Sequence, residues 1–405
     1  MLFRISWRNI WRNKSRTFVI ITAIALGLWG GIFSTAFMNG MTEQQIYSSI
    51  HTETGHIQIN AKGFLLNYDM LQYIPNADSM AVSIERDPAV AAVSPRIQMM
   101  AMASTASSST GVMINAVEID KQKKVSDLHK SVIKGTYFED DRSNPIVIGQ
   151  QLADKLHANI HSRIVMTLQT LENEITYAAF TVVGIYRTHN SDFDRQQVFV
   201  RRKDLQSLIS FPEHAASLIT VLLNKTDDSK EVTARLKKQY PSLEVQDWQQ
   251  LSPMTQVMSG TIKQFSLIFV GIILIALAFG IINTMLMAVL DRTREIGMLL
   301  SIGMSPSKVF RMIMLETILL SLTGAAAGVM VSVFTIMYFN HAGIDLSMLG
   351  EGANALGYST MVYPSLGFEF YLQLAALVIF IAMIAGIFPA VRALKMNPSE
   401  AIRGE

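Results

Sequence analysis

DRTREIGMLLSIGMSPSKVFRM, Asp291 to Met312, separates two long apolar runs and decides how the chain is laid out. Phe265–Leu290 before it and Thr317–Asn340 after it contain no Asp, Glu, Lys or Arg. Each such charge at a helix centre costs about 2.5–3.5 kcal/mol on insertion into a bilayer. The charged segment therefore stays outside while its flanks go in. Arg292–Ile302 has no helix breaker except Gly297, so a short helix is expected. Gly303 suits a left-handed C-terminal cap. Ser305 suits an N-cap, with Pro306 at the first position of the next helix. Along the short helix Thr293, Gly297 and Ser301 form a stripe of small residues, while Ile296, Leu299 and Leu300 form an apolar patch. That is either a shape for docking on another protein or an amphipathic surface loop.

Two further uncharged runs lie at the ends, Phe18–Met38 and Phe370–Val391. A helix needs roughly 20 apolar residues to cross a hydrocarbon core, and all four runs qualify. Across 405 residues the chain is 50% hydrophobic and only 16% charged, a deficit concentrated in these runs. The net charge of +2, with no basic tract, gives no reason to expect nucleic acid. With no Cys there are no disulfides, no thiol nucleophile and no Cys-based metal site. The first run is too long for a signal-peptide core and lacks a small-x-small cleavage site, so a retained anchor is expected.

Lys and Arg set the orientation. Arg4, Arg8, Arg12, Lys14 and Arg16 precede the first run, with no acid among them. Arg292, Arg294, Lys308 and Arg311 lie in the charged segment, and Arg392, Lys395 and Arg403 in the tail. Residues 341–367 have neither Lys nor Arg. Both termini and the charged segment are thus expected in the cytoplasm. The expected layout is a cytoplasmic amphipathic helix (1–16), a span (17–40), an external domain (41–262), a span (263–290), a cytoplasmic helix (291–305), a span (306–340), an external loop (341–367), a span (368–391) and a cytoplasmic tail (392–405). In the first helix Phe3, Trp7, Ile10 and Trp11 are expected on one side, and Arg4, Arg8, Arg12 and Arg16 opposite. A plain positive-inside anchor is the competing reading.

The external stretch alternates strand patterns such as GHIQINA (Gly55–Ala61) and YAAFTVVGIY (Tyr177–Tyr186) with short helical ones such as DDSKEVTARLKKQY (Asp227–Tyr240). A strand–helix–strand–strand order near 55–120 partly recurs at 215–247. The expectation is an α/β lobe interrupted by a mostly β insertion at about 116–214. The stalks, Thr42–Ser49 and Trp248–Lys263, read as helical continuations of the spans.

Small residues recur every fourth position in the spans: Ala23, Gly27 and Gly31; Gly324 and Gly328; Ala382, Gly386 and Ala390. Such stripes let helices approach closely, within one chain or between subunits. Asn283 and Glu316 are polar groups at membrane depth, where side chains face protein or water. Glu316 is within reach of Arg292 or Arg311. No P-loop, G-x-S-x-G or H-E-x-x-H motif occurs. His157 and His161 have metal-ligand spacing but no third ligand near them.

NTMLMAVLDRTREIGMLLSIGMSPSKVFRMIMLE (Asn283–Glu316) resembles the signature of the FtsX/MacB-like ABC transporter permeases. FPAVRALKMNPSEAIR (Phe388–Arg403) resembles that family's C-terminal end. SWRNIWRNKSRT (Ser6–Thr17), MNGM (Met38–Met41), GHIQI (Gly55–Ile59) and VVGIYRTHNSDFDRQQVFVRRKDLQSLI (Val182–Ile209) resemble its lipoprotein-releasing, LolC/LolE-type branch. The resemblance implies an α-helical membrane protein with four transmembrane helices, one plus three, and a large extracytoplasmic α/β domain, MacB-like and periplasmic, between the first and second. It implies a permease subunit of the bacterial inner membrane that is not itself an enzyme. Its partners would be a second permease half, identical or paralogous, and two copies of a separate cytoplasmic ATPase. ATP and Mg would bind there, with no cofactor or metal in this chain. Arg292, Thr293, Arg294, Glu295, Gly297, Leu300, Ser301 and Gly303 would form the coupling helix. Leu300 stands where relatives often carry Arg or Lys, which removes one ion pair with the ATPase. Motion of this helix would reach the external domain through the spans. Gly27, Gly31, Asn283, Gly324, Gly328 and Gly386 would shape the lateral gate and span packing. In the lipoprotein branch cargo enters sideways and passes to a periplasmic carrier, against about 0.8 kcal/mol for each acyl CH₂ withdrawn. The alternatives are a MacB-like efflux permease, which usually carries its ATPase in the same chain, and an FtsX-like transmitter to a cell-wall hydrolase.

Overall fold

The computed structural model describes residues 2–139, 142–346 and 361–395. These form two compact units: one drawn from the chain up to Thr42, Ser259–Asp345 and the chain from Met361 on, the other chiefly from Glu43–Met258. The tail beyond Lys395, with Arg403, and most of the loop at 341–367 lie outside the described residues.

The first unit is helical. Four helices are long and apolar enough to cross a membrane, at Thr17–Thr54, Pro253–Leu290, Pro306–Ala342 and Phe368–Leu394. The first of these begins at Lys14, after a break at Asn13 that sets off a separate N-terminal helix, Leu2–Arg12. Of the apolar side expected on that helix, only Ile10 turns into the unit's core. Ser6 and Ile10 are buried, whereas Phe3, Trp7 and Trp11 are exposed together. Ser6 fits inside because its hydroxyl donates to the Met312 carbonyl at 3.3 Å on the third spanning helix.

Small residues set the helix contacts. A methyl on Gly324 would lie 2.8 Å from Ile24, and one on Gly328 would lie 2.9 Å from the Ala25 carbonyl, so the first and third spans touch at backbone level. Gly386 meets Thr317 in the same way between the third and fourth spans, and Gly27 meets Leu277 between the first and second. Gly31 is buried, yet no atom stands within contact of a methyl added there.

The second unit is built on a ten-stranded sheet. Strands β1 (Ile57–Ala61), β2 (Val90–Ser104), β9 (Leu218–Leu223) and β10 (Leu243–Asp247) lie in the order β10-β1-β9-β2 and pair antiparallel. Helices Ala77–Glu85 and Ser229–Gln239 join β1 to β2 and β9 to β10. This is a split β-α-β-β-α-β unit, and it accounts for the recurrence read at 55–120 and 215–247. Ile57, Ile59, Val93, Ile84, Val232 and Leu236 form its core between sheet and helices.

The remaining strands do not form an independent insertion. β3 (Ser109–Val117), β5 (Pro145–Gly149), β6 (Arg163–Gln169), β7 (Ile175–Tyr186) and β8 (Gln197–Arg201) close a ring with β2. The pairings run β2–β3–β8–β5–β7–β6 and back to β2. β4 (Val132–Gly135) adds to β7 at the edge. Ile114, Ile146, Ile164, Met166, Phe180 and Val198 fill a second core. The fifteen-residue β2 serves both halves: residues 90–96 pair with β9 and 96–104 with β3. The mostly β stretch expected at about 116–214 does interrupt the α/β part between β2 and β9, but it closes its ring through β2, so the two parts share a strand. A long strand that changes partners midway leaves no break for a sequence reading to find.

Trp248–Lys263 is not one continuous helix. Trp248–Leu251 is a separate turn, and the second spanning helix starts at Pro253, because proline occupies a first helical position readily and an interior one poorly. The other stalk continues the first spanning helix to Ser48, and a π-helical turn follows at Ser49–Thr54.

Candidate coupling site

The charged segment forms helix Thr293–Ser301. Gly303 stops it at φ +97°, which glycine adopts without a Cβ penalty. The Met304 amide donates to the Leu299 carbonyl at 3.0 Å and the Gly303 amide to Leu300 at 3.1 Å. These are the two bonds of a Schellman cap. Ser305 occupies the next N-cap position with Pro306 behind it, but its side chain makes no capping bond.

Ile296 and Gly297 are buried. Ile296 joins the helical unit's core with Val309 and Ile313, and Leu300 packs partly against it. This corrects the expected docking stripe: Gly297 faces this chain's own packing, and Thr293, Gly297 and Ser301 do not make one open surface. Arg294, Met298, Ser301 and Ile302 are exposed instead, with Met298 56% and Ile302 78% accessible. The stripe followed small-residue spacing, whereas the larger Ile296 beside Gly297 decides which side turns inward.

A charge cluster anchors the helix. Arg292 Nη1 donates to both Glu316 carboxylate oxygens, at 3.1 and 3.2 Å, and Arg292 Nε donates to Glu295 at 3.1 Å. Arg12 from the N-terminal helix pairs with Glu295. Asn9 Nδ2 donates to Glu316 at 2.8 Å. Two cations thus face two anions, and three helices meet around a cavity of about 290 Å³ lined in part by Arg12, Asn13, Asp291, Arg292 and Glu316. The hydrogen bond from Arg12 is the main influence holding the Glu295 carboxyl below its usual range. Of the two partners offered for Glu316, Arg292 is the one used; Arg311 is exposed. Asn9 and Arg12 were missed as site residues because the N-terminal charges read simply as membrane-orienting. Their signal was Ser6, Asn9 and Asn13, polar groups one turn apart on an otherwise amphipathic helix.

Elsewhere in this unit Asn283 is exposed on the second spanning helix, with no hydrogen-bond partner among the described residues. A cavity of about 640 Å³ opens between the first, second and fourth spanning helices. Met38, Leu267, Val270 and Leu374 line it, with Lys263 among the polar groups. His157 and His161 both have positive φ, 50° and 70°, so they flank a turn rather than sharing a helix face. No cluster of three or more potential metal ligands occurs among the described residues.

One spanning helix, an α/β domain and three further spanning helices in chain order, with a charged helix between the second and third spans, is the build of an ABC transporter permease subunit. The chain belongs to the family of MacB- and FtsX-like ABC permeases. Residues 17–239 match the model of the MacB-like periplasmic core domain, and residues 267–398 that of the FtsX-like permease C-terminal region. It is similar to the lipoprotein-releasing system transmembrane protein LolC of Neisseria meningitidis, 24% identical, over 96% of this chain and 94% of that one. The ABC transporter permease YtrF of Bacillus subtilis is 28% identical over 56% of this chain and 52% of its own. The macrolide export ATP-binding/permease protein MacB of Acinetobacter baylyi is 24% identical over 100% of this chain and 59% of its own.

Proposed function

We propose that the chain is the non-catalytic membrane subunit of a lipoprotein-releasing ABC transporter, driven through helix Thr293–Ser301 by a separate cytoplasmic ATPase. The observation that carries the coupling is the pairing of exposed apolar residues, Met298 and Ile302, with a rigid anchor on the same helix. An exposed Ile on a short charged helix is a partner contact in waiting, since desolvating it stabilises a complex by about 1.5–3 kcal/mol. Arg292 ties that helix to Glu316, about three turns along the third spanning helix. A push on Met298 and Ile302 is therefore delivered to the third span and, through Arg12, to the N-terminal helix. ATP and Mg²⁺ belong to the ATPase. The Lys and Arg distribution supports cytoplasmic termini and an external domain in the periplasm.

Full-length similarity to LolC supports lipoprotein as the cargo. The 640 Å³ cavity is mostly apolar, opens between the first and second spans and suits acyl chains entering sideways. The exposed Asn283 suits contact with a second permease half. A periplasmic carrier would receive the cargo. Reconstitution with the ATPase tests this reading: Leu267→Trp and Val270→Trp should block lipoprotein release while ATP hydrolysis continues. Unchanged release in an assembled complex would overturn the cavity's role.

A further inference from the structure

Three rows of side chains run along the N-terminal helix Leu2–Arg12. At about 100° per residue, Ser6, Asn9 and Ile10 share one arc, Phe3, Trp7 and Trp11 the next, and Arg4, Arg8 and Arg12 the one after. The first row is engaged inside the helical unit. Ile10 packs in its core, Ser6 donates to the Met312 carbonyl and Asn9 donates to Glu316. The second row is bare. Phe3 is 58%, Trp7 41% and Trp11 46% exposed, and the two indoles meet edge to face with ring centres 5.9 Å apart. The third row ends at Arg12, which pairs with Glu295 on helix Thr293–Ser301. Arg4 and Arg8 are exposed and have no ion pair or hydrogen bond among the described residues.

These contacts fix which way the bare row faces. Arg12 reaches toward a helix whose charges keep it out of the hydrocarbon. Trp7 stands about 140° from Arg12 around the axis and so points away from that helix. The uncharged run of the first span opens at Phe18, six residues beyond Arg12, and Phe18 is itself 70% exposed. The aromatic row therefore lies level with the polar layer of the bilayer, on the lipid side of the helix. Indole rings concentrate at that depth. Charge then selects the lipid. Arg4, Arg8 and Lys14 are exposed, and no acid precedes Glu43 in the chain. A leaflet carrying anionic phospholipid supplies apolar depth for the rings and phosphates for the adjacent arginines along one edge, as an interfacial amphipathic helix requires.

We propose that this face binds anionic phospholipid selectively, with Phe3, Trp7 and Trp11 seated among the headgroups and Arg4 and Arg8 on the lipid phosphates. In the topology proposed above these lipids belong to the cytoplasmic leaflet. The binding itself depends neither on that orientation nor on an ATPase.

The full chain in nanodiscs, which present the same lipids on both faces, tests it. Trp7 and Trp11 share the fluorescence with Trp29 and Trp248, so the part lost in Trp7→Phe, Trp11→Phe reports this row. The discs carry a minority of phosphatidylglycerol in phosphatidylcholine. Bromine, which quenches indole, is placed on the acyl chains of the phosphatidylglycerol or of an equal amount of phosphatidylcholine. Both should quench the row. Brominated phosphatidylglycerol should quench it more, with a local enrichment of roughly fivefold for each arginine, the factor that about 1 kcal/mol per basic residue gives. At about 1 M salt, where the Debye length is about 3 Å, that preference should vanish. Arg4→Gln with Arg8→Gln should equalise the two lipids and leave the Tm unchanged, since both side chains are exposed. Quenching by neither lipid would mean that protein covers the row. Equal quenching in the wild-type chain would mean a membrane face without anionic selection. A preference that survives the double Gln substitution would place it elsewhere. Each of these three results overturns the proposal.

Discussion

Arg292 and Gly297 lie within two turns of each other and are tested by opposite kinds of change. Arg292 neutralises Glu316 in a part-buried site, their side chains being 20% and 11% exposed. Arg292→Ala leaves that carboxylate with Asn9 alone, and should cost about 2 kcal/mol. Thermal unfolding in detergent should show it as a lower Tm, with Arg292→Lys recovering only part because it loses the two-oxygen contact. Gly297→Trp should lower the Tm of the chain by itself, since the site is buried within the permease. An unchanged Tm together with lost ATPase binding would return Gly297 to the docking surface. In the external unit, burial lifts the Asp194 carboxyl to about 6 from an ordinary 3.8, against three hydrogen bonds from Thr188. Below about pH 4 the folded and unfolded chains both hold that proton, and the penalty is absent. It grows as the pH rises and is complete above about pH 6, where a charged carboxylate stays buried. Asp194→Asn should therefore narrow the difference in proteolytic resistance of the 188–196 segment between about pH 4 and pH 7. An unchanged difference would place the pH dependence elsewhere.

At the scale of elements, the spans were legible because a membrane demands length and lack of charge, both written locally in the sequence. The cap at Gly303 was legible for the same reason: a left-handed position selects glycine whatever surrounds it. The partner of Glu316 was half legible, because charge compensation was required but either Arg292 or Arg311 met the requirement. The ring lobe was not legible. Whether β2 pairs once or twice depends on strands more than sixty residues away, and alternation along β2 is the same in both cases. Nor was the π turn, which depends on where Ile50 finds its pocket among Ala92, Leu222 and Trp248. The glycines separate into two groups that the spacing did not distinguish. Gly328→Leu would meet Ala25 and push the first and third spans apart, at about 1–3 kcal/mol. Gly31 is buried, although nothing stands within contact of a methyl added there, so Gly31→Leu should cost the single chain less Tm than Gly328→Leu. A loss at Gly31 as large as that at Gly328 would show that its surroundings are packed as tightly.

For the whole molecule, the chain passes twice between the helical unit and the α/β unit, and the proposed transmission depends on which side of the membrane each unit faces. Topology is the first requirement. Single Cys residues at positions 294, 298 and 302 should resist an impermeant maleimide in intact cells, while a Cys at Leu66 should react. Strong labelling at 298 would invert the orientation and remove the ATPase from reach of the helix. The most direct measurement of the central claim is ATPase co-purification and cargo-stimulated ATP hydrolysis for the Met298→Asp, Ile302→Asp double variant in reconstituted membranes. Both substitutions fall on exposed side chains, so the permease itself should keep its Tm. Binding of the ATPase should fall at least tenfold, and stimulated turnover with it, as burying two charges in an apolar contact requires. Normal binding with full stimulated turnover would contradict the account, because the helix would then be an ordinary connecting loop.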